Sequence, residues 1–441
     1  MNLTNYGYAK HVRISGLVAG AILTLCAWLP ASAQDSAVYT QCPDTTELHS
    51  TGDGIKCKHL SGGDGMVTMA DGEPIYIFSF ADIPMPEDAI AAGDINELAD
   101  YPGYVMEQGM LAANAPAPTI EVDEDDELFL TLTNVGMAMR PDLFDAHTVH
   151  WHGFPEASSV FDGVPDASIA INMGASLTYY YNVKDAGTYM YHCHVEATEH
   201  MQMGMLGNLY VHPRQNKLPD GADLVAAFGD NAANTANGGL TPPSNLAANL
   251  PGATSVAHTA GSTYAYNDGD GTTRYDDDYP IQIGSFDKAF HDASYTVQPL
   301  PFADMRDTYF MLNGRGYPDT ASDVAISDAQ PVDSLITADP DQRILLRISN
   351  LNVTQFNTLG TNGPPMEVIA MDARLLRADD GTNMYYKTNS VTLGGGQSVD
   401  VIIDTSGLAS GTTFFLYSTN LEMLANHHDN FGGMMTEIRI N

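Results

Sequence analysis

The sequence predicts an all-β protein built from two β-sandwich domains. Short runs rich in β-branched and aromatic residues alternate with turns that contain Gly, Pro, Asn and Asp, which is typical of sandwich strands. The sequence shows no convincing amphipathic helix of ordinary length. A stretch rich in Gly, Ala, Asn, Thr and Pro at 228–272 separates two such series of strands and indicates a linker or a long surface loop.

The first 33 residues have the pattern of a secretory signal peptide. Lys10 and Arg13 provide a positive n-region, residues 14–29 are mostly apolar, and residues 31–33, Ala-Ser-Ala, form a small-residue cleavage site. We therefore expect a secreted or periplasmic protein. Since no other long apolar run is present, we expect no stable insertion into a membrane.

The strand signals then follow in order along the chain. The run MVTMADGEPIYIFSF begins at Met66, and a loop region is expected up to Met110. The next run, APAPTIEVDEDDELFLTLTNVG, begins at Ala115 and contains the β-rich LFLTLT. A second series begins with YPIQIGSF and ends with MMTEIRIN. The expected organisation is a signal peptide at 1–33, an N-terminal extension at 34–65, a metal-binding domain at 66–214, a linker or long loop at 215–275 and a second domain at 276–441.

The cysteines and the charge balance restrict the function. In an exported protein Cys42 and Cys57, which flank a short polar loop, are expected to form a disulfide. Cys193 is then left without a cysteine partner, and a metal would protect such a thiol from oxidation. The formal net charge of −37 argues against nucleic acid and anionic membrane surfaces as partners.

Two short segments concentrate metal-ligating side chains. The segment HTVHWHG contains His147, His150 and His152, and the segment HCHVEATEHMQMGM carries a histidine on either side of Cys193. Side chains two apart on a strand project to the same face, whereas adjacent side chains project to opposite faces. We therefore expect two sites, with Cys193 at one and its two neighbours at the other.

The residues of the first site form a recognisable ligand set. Two imidazoles, one thiolate and a weak axial thioether are the ligands of a blue-copper centre. The sequence offers His147, Cys193, His200 and Met205 for these roles, with Met201 and Met203 as alternative axial ligands. The second site would collect four imidazoles for one or more metals, namely His150, His152, His192 and His194.

These motifs resemble the multicopper oxidases, a family that includes laccases. The resemblance rests on H-x-x-H-x-H-G, on H-C-H with a later His and Met, and on segments such as PAPTIEV, FDGVP and LNGRGYPDT, and it covers most of residues 66–441. It implies two cupredoxin-like Greek-key domains with copper as the cofactor. It also implies a type 1 copper held by His147, Cys193, His200 and Met205, and a type 2/type 3 cluster held in part by His150, His152, His192 and His194.

The second domain departs from the family pattern. A complete trinuclear cluster in this family takes eight histidines from two domains, but the chain has NLNVTQF and YSTN where H-x-H motifs would stand. The second domain therefore resembles the copper-free middle domain of a three-domain oxidase. Its late histidines, His427 and His428, are ligand candidates by elimination alone.

The resemblance implies an exported oxidoreductase that takes single electrons from a small-molecule or protein donor at a type 1 copper. The electrons would pass to the second copper site and then to O₂. Two alternatives stay open: an electron-transfer or copper-binding protein with a degenerate second site, and a nitrite-reductase-like enzyme whose acceptor is a small oxyanion. Both nitrite reductases and two-domain laccases place such sites between subunits, so a homotrimer is expected.

Overall fold

The structure, a computed structural model, describes residues 40–224, 256–378 and 382–441. Residues Val38–Asn441 cluster as one compact unit. The predicted signal peptide at 1–33 lies outside the described residues, as does much of the predicted linker. None of the helices in the described ranges is long and apolar enough to cross a membrane.

The first sandwich packs two four-stranded sheets face to face. Its strands are β1 (Ile55–Thr68), β2 (Pro74–Ile83), β3 (Ala117–Asp123), β4 (Glu127–Gly136), β5 (His150–His152), β6 (Ser176–Asn182), β7 (Gly187–His192) and β8 (Leu206–His212). One sheet has the order β2-β1-β4-β6 and the other has the order β3-β8-β7-β5. Alternate residues of β4, including Leu128, Leu130 and Leu132, enter the core between them.

The second sandwich packs a seven-stranded sheet against a five-stranded sheet. Its strands are β11 (Asp277–Phe286), β12 (Tyr309–Leu312), β13 (Ile336–Ala338), β14 (Arg343–Asn350), β15 (Asn357–Thr361), β16 (Met366–Met371), β17 (Arg374–Leu375), β18 (Tyr386–Thr388), β19 (Ser390–Leu393), β20 (Gln397–Asp404), β21 (Thr413–Ser418) and β22 (Met435–Ile440). The larger sheet has the order β12-β11-β14-β20-β16-β17, with β18 also paired to β16, and the smaller has the order β13-β22-β21-β15-β19. The prediction of an all-β protein with two sandwich domains is confirmed.

The helices of the described ranges are short. They are α1 (Pro86–Ala92), α2 (Tyr101–Gly109), α3 (Ala197–Gln202) and α4 (Lys288–Tyr295). The prediction of a plain loop up to Met110 was wrong, because α1 and α2 lie there. Each helix has fewer than three turns, so its apolar periodicity is weak. The two helices are stabilised because Ala89 of α1 and Val105 of α2 pack in one core cluster with Ile83 and Val135.

Strand β1 begins at Ile55, well inside the segment that was assigned to the N-terminal extension. The glycines of SGGDG weaken the strand pattern in the sequence, but close packing requires them. A Cβ atom on Gly62 would lie 3.0 Å from Cδ2 of His147, and one on Gly63 would lie 2.8 Å from Cγ2 of Val135. A disulfide joins Cys42 to Cys57, which lies on this same strand.

The segment predicted as a linker at 215–275 is in part built into the fold. Strands β9 (Thr263–Tyr264) and β10 (Arg274–Tyr275) form a two-stranded ribbon, and Tyr266 between them is fully buried against the second sandwich. The carboxylate of Asp268 accepts hydrogen bonds from the backbone N–H groups of Gly271 and Thr273 and so closes the turn. Residues 225–255 lie outside the described ranges.

A buried arginine connects the two sandwiches. Arg347 on β14 is fully buried, and its Nε donates to Oδ2 of Asp278 at 2.6 Å. Its Nη1 also donates to Oγ1 of Thr188 on β7 at 3.2 Å, and its guanidinium lies 5.0 Å from the ring centroid of Tyr210 on β8. The Thr188 hydroxyl donates in turn to buried Asp400 at 2.6 Å. Arg347 therefore forms an ion pair with Asp278 and is linked through the Thr188 hydroxyl to Asp400, so one buried cation takes part in a polar network across the interface.

Replacing Arg347 with Leu is expected to destabilise the protein strongly. The change leaves buried Asp400 without a nearby cation and half-exposed Asp278 without its ion-pair partner, so the loss should approach but not exceed the cost of breaking a fully buried pair, about 3–5 kcal/mol. Urea unfolding measures the loss. Arg439→Ala is the control, because the Arg439 side chain is exposed, and it should stay within about 0.5 kcal/mol of the wild type. Equal stabilities for both variants would contradict the role given to Arg347.

Candidate metal centre

The end of β7 delivers ligand side chains in two directions. His192 is the last residue of β7 and pairs with His150 of β5, while Cys193 follows directly and lies in the core of the first sandwich. Helix α3 carries His200, and Met205 immediately precedes β8. His147 stands outside the regular strand, where it forms an isolated bridge with Ile171.

The structure brings Cys193, His147 and His200 into one cluster, which we call the thiol cluster. Each of the three side chains is fully buried. Nδ1 of His200 lies 3.1 Å from the Cys193 sulfur, and Nδ1 of His147 lies 4.0 Å from it. One ligand atom from each residue lies within 4.8 Å of the others, which is suitable for a single ion.

Met205 is held beside this cluster by its backbone. Its N–H donates to the carbonyl oxygen of His200 at 2.8 Å, and its own carbonyl oxygen accepts from the N–H of Cys193 at 3.1 Å. Its side chain is fully buried in the same core as Cys193. The rival Met201 instead lines the cavity of the four histidines described below. Met203 is also buried, but its backbone is tied to Glu199 and to Phe78 of β2.

The electrostatics of the thiol cluster favour a thiolate. Burial alone would raise the pKa of Cys193, but the adjacent charge of His200 and hydrogen bonds from His147 and His200 hold it well below its usual range. Although burial opposes it, the charge of Cys193 and the carboxylate of Asp145 raise the pKa of His200 to about 10. The N–H of Thr148 also donates to the sulfur at 3.5 Å. The thiolate is the form of cysteine that binds metals.

The other histidines form a second group, which we call the four-histidine cluster. The ring centroid of His150 lies 5.2 Å from that of His192, 5.9 Å from that of His152 and 5.1 Å from that of His194. His150, His152 and His192 each place one nitrogen within 4.8 Å of the others, and His194 stands beside this trio.

Backbone carbonyl groups orient two of these rings. Nδ1 of His150 lies 2.5 Å from the carbonyl oxygen of Asp162, and Nδ1 of His192 lies 2.8 Å from that of Cys193. With Nδ1–H donating to a carbonyl, the lone pair of each Nε2 is left for a metal. Nδ1 of His152 lies 3.3 Å from Nε2 of His192. Two nitrogens bound about 2.0 Å from one ion at a tetrahedral angle would also lie about 3.3 Å apart.

Burial keeps two of these imidazoles neutral. It is the largest cause that lowers the pKa of His192 to about 3, and the charges of His150, His152 and His194 contribute to the same shift. Burial and the charge of His150 also lower the pKa of His152. Neutral imidazole is the form that binds a metal, so these side chains suit a metal without first losing a proton.

The four-histidine cluster faces the second sandwich of the same chain. It lines a cavity of about 570 Å³ whose opposite wall consists of residues 351–356 and 395–396. The wall is close, since a Cβ atom on Gly396 would lie 2.5 Å from Nε2 of His152. This wall carries the amides of Asn352 and Gln355 and the hydroxyl of Thr354. A larger metal cluster would need further imidazoles at these positions.

His427 and His428 lie outside both the thiol cluster and the four-histidine cluster. Their ring centroids are 4.0 Å apart, and both side chains line a different cavity of about 680 Å³. Thr354 and Gln355 line both cavities, so the two histidines stand behind the wall that faces the four-histidine cluster. Sequence reasoning assigned no role to Thr148, Asp162 and Thr354, although they lie in the segments HTVHWHG, FDGVP and NLNVTQF, because ligand spacing does not indicate which neighbouring residues contact the ligands.

The comparisons with known proteins agree with this arrangement. A family model described as multicopper oxidase matches residues 100–216, which include both clusters. Residues 100–216 are therefore similar to a multicopper oxidase domain. The chain is also 33% identical over 115 residues to the multicopper oxidase MCE of Talaromyces pinophilus, in an alignment that spans 25% of this chain and only 18% of that relative. The chain therefore spans less than a fifth of that relative.

Solved structures share the fold over most of the chain. The blue copper oxidase from Nitrosomonas europaea matches with a TM-score of 0.56 and 20% identity over 88% of this chain and 86% of that one. The copper nitrite reductase from the same organism matches with a TM-score of 0.50 and 14% identity over 88% of this chain and 94% of that one. The cupredoxin-like fold is confirmed, and copper is the cofactor of the matched family.

The residues present suit copper. In the thiol cluster, Nε2 of His147 is a buried nitrogen without a hydrogen-bond partner within the described part of the chain, while the Nδ1 atoms of both histidines face the sulfur. Nitrogen, thiolate and thioether donors with this burial are the donor set of a blue-copper site. In the four-histidine cluster, the carbonyl-oriented imidazoles suit copper equally well.

Replacing Cys193 with Ser is expected to remove one copper per chain together with the visible thiolate-to-copper absorption band. The hydroxyl is a far weaker ligand than the thiolate, whereas the four-histidine cluster keeps all its nitrogens. Copper content by elemental analysis and the visible spectrum measure both effects. Met201→Leu is the control, because it removes a nearby sulfur that lies outside the thiol cluster, and it should keep the visible band. Retention of the full band in Cys193→Ser would contradict the assignment.

Proposed function

We propose that the protein is an exported copper-dependent oxidoreductase that takes single electrons from a donor at the thiol cluster and passes them to the four-histidine cluster, with O₂ as the acceptor. One observation carries the proposal. Cys193 belongs to one cluster, while His192 and His194 on either side of it belong to the other. An electron that arrives at the sulfur therefore has a short covalent path to the second site.

The residues of the thiol cluster would have distinct roles. Cys193, His147 and His200 would hold a type 1 copper, which accepts and releases one electron, and Met205 would be its weak axial ligand. Burial of all four side chains excludes water and keeps the ligand geometry rigid. The contact of 3.8 Å between Nε2 of His200 and Oδ2 of Asp145 orients the edge of that ring that faces away from the sulfur.

The path to the second site runs through the peptide of Cys193. The carbonyl oxygen of Cys193 lies 2.8 Å from Nδ1 of His192, so a hydrogen bond supplements the covalent connection. His150, His152, His192 and His194 would hold the copper at the receiving end. The match of residues 100–216 to the multicopper oxidase family model supports O₂ as acceptor, with four electrons and four protons consumed for each O₂ reduced to two waters.

The wall opposite the four-histidine cluster favours a second candidate. Asn352, Thr354 and Gln355 of the same chain offer no imidazole there, which suits a smaller copper site than a trinuclear cluster. Such a protein would be an electron carrier with a degenerate second site, or an enzyme that reduces a small oxyanion such as nitrite. A neighbouring subunit of a homotrimer would be the remaining source of histidines.

Export is part of the proposal. The signal-peptide pattern at 1–33 supports it, as does the disulfide between Cys42 and Cys57, because disulfides persist in oxidising compartments. The acidic surface that follows from a net charge of −37 suits a cationic or neutral electron donor.

The double variant His150→Ala with His152→Ala separates the candidate functions. If O₂ is reduced at the four-histidine cluster, oxygen uptake with a one-electron donor should fall at least about a hundredfold. The visible band of the thiol cluster should persist, because neither histidine contacts Cys193. An oxygen electrode and the visible spectrum measure the two effects, and the same assay with nitrite tests the oxyanion candidate. A wild-type protein that binds one blue copper and consumes no oxygen would contradict the oxidase function.

A further inference from the structure

The thiol cluster is closed to the surface of the protein. Its three side chains, those of His147, Cys193 and His200, are fully buried. The proposed function requires electrons to reach this cluster from a donor outside the protein, and such a donor cannot touch buried ligands. Electrons must therefore cross the layer of side chains that surrounds the cluster.

A row of aromatic rings connects His200 to the surface. The ring centroid of Phe78 on β2 lies 5.9 Å from that of His200, and the ring of Tyr76, on the same strand, lies 5.5 Å from that of Phe78. The ring of Tyr295, the last residue of α4, lies 5.2 Å from that of Tyr76. Centroid distances in this range are those of packed aromatic pairs. Tyr76 and Phe78 are buried, whereas Tyr295 is 45% exposed, so the row ends in solvent.

Tyr76 has a buried proton acceptor beside it. Its hydroxyl donates to Oδ2 of Asp64 on β1 at 2.8 Å, and Asp64 is fully buried. The two oxygens of Asp64 also accept the N–H groups of Ala138 at 2.9 Å and of Met139 at 2.8 Å. Burial and the charge of Asp64 raise the pKa of Tyr76, so the phenol keeps its proton. If this proton moves to Asp64 when Tyr76 loses an electron, no charged radical is left in the core, where an unpaired charge is costly.

A second tyrosine–carboxylate pair lacks the connection to the thiol cluster. The hydroxyl of Tyr180 on β6 donates to Glu127 on β4. The neighbouring Tyr179 and Tyr181 lie in the core of the first sandwich, so Tyr180 between them points to the outer face of its sheet. Tyr180 therefore resembles Tyr76 in its hydrogen bond but not in its position, which makes it a matched control.

We propose that Tyr295 and Tyr76 form an electron relay from the protein surface to the thiol cluster, with Asp64 as the proton acceptor of Tyr76. The relay rests on the proposed function, because it presumes a copper in the thiol cluster that accepts single electrons. The donor that it serves stays at the surface and touches Tyr295, as a redox protein would.

Each transfer balances in electrons and protons. Tyr76 gives one electron to the oxidised copper and its phenolic proton to Asp64, which leaves a neutral tyrosyl radical. Tyr295 then returns an electron to Tyr76, Asp64 returns the proton, and the exposed Tyr295 loses its own phenolic proton to water. The donor finally reduces Tyr295, which regains a proton from water. The net result is one electron moved from the donor to the copper.

The first experiment uses the protein loaded with Zn²⁺ in place of copper. Zinc binds thiolate and imidazole but has no redox chemistry, so charge injected at the surface stays on the tyrosines. A photogenerated ruthenium(III) oxidant in solution should produce a long-lived, hydrogen-bonded tyrosyl radical in high-field electron paramagnetic resonance spectra. This signal should be lost in Tyr76→Phe and in Tyr295→Phe and kept in Tyr180→Phe. A wild type without this radical, or the same radical in Tyr76→Phe, would overturn the relay.

The second experiment uses the copper-loaded protein without O₂. Reduced cytochrome c is the donor, since a cationic protein suits the acidic chain, and bleaching of the visible band gives the rate of electron entry. Tyr76→Phe should slow this step at least about tenfold, because the phenolic proton is no longer passed to a positioned acceptor. Tyr295→Phe should also slow it, while Tyr180→Phe should stay near the wild-type rate.

Two readouts separate the relay from a structural role and from the proposed function. Copper content, band position and reduction potential should be unchanged in all three variants, whereas a loss of packing around His200 would shift them. Wild-type rates in both Tyr76→Phe and Tyr295→Phe would overturn the relay. If the copper-loaded wild type shows no visible band or consumes no O₂, the proposed function fails, while the zinc-loaded protein still decides whether these tyrosines carry charge.

Discussion

The arrangement of both metal centres depends on the opposite directions of adjacent side chains at the end of β7. His192 points with His150 and His152 toward the second sandwich, whereas Cys193 points into the core of the first. A shift of one residue in the register between β5 and β7 would exchange the two faces. The pairing of His150 with His192 and of Trp151 with Tyr191 therefore determines which of the two metal centres each side chain can join.

Burial acts differently in the two clusters. The thiol cluster is closed, and its charges compensate one another because the thiolate of Cys193 lies 3.1 Å from a nitrogen of His200. The four-histidine cluster is open on one side, where burial keeps His192 neutral and a cavity admits a small molecule. A closed site suits electron transfer without bond changes, and an open site suits binding of an acceptor.

Packing between the sandwiches places residues of the second sandwich opposite the four-histidine cluster. Arg347 connects Asp278 of the second sandwich to Thr188 of the first, and this contact brings residues 351–356 opposite the histidines. The sequence could show that NLNVTQF lacks histidine, but not that the same chain would close the cavity. Asp307 and Ser285 are far from Thr354 in sequence, so no motif could indicate their contact.

The sequence by itself determined the fold class and the candidate ligands, because strand periodicity and ligand spacing are local properties of the chain. It did not predict the start of β1 at Ile55 or the helices α1 and α2, since glycines and short segments give weak local signals. Only the tertiary structure decided which cavity each histidine faces. His427 and His428 stand behind the wall of Thr354 and Gln355 because packing between the sandwiches, a sum of many distant contacts, places them there.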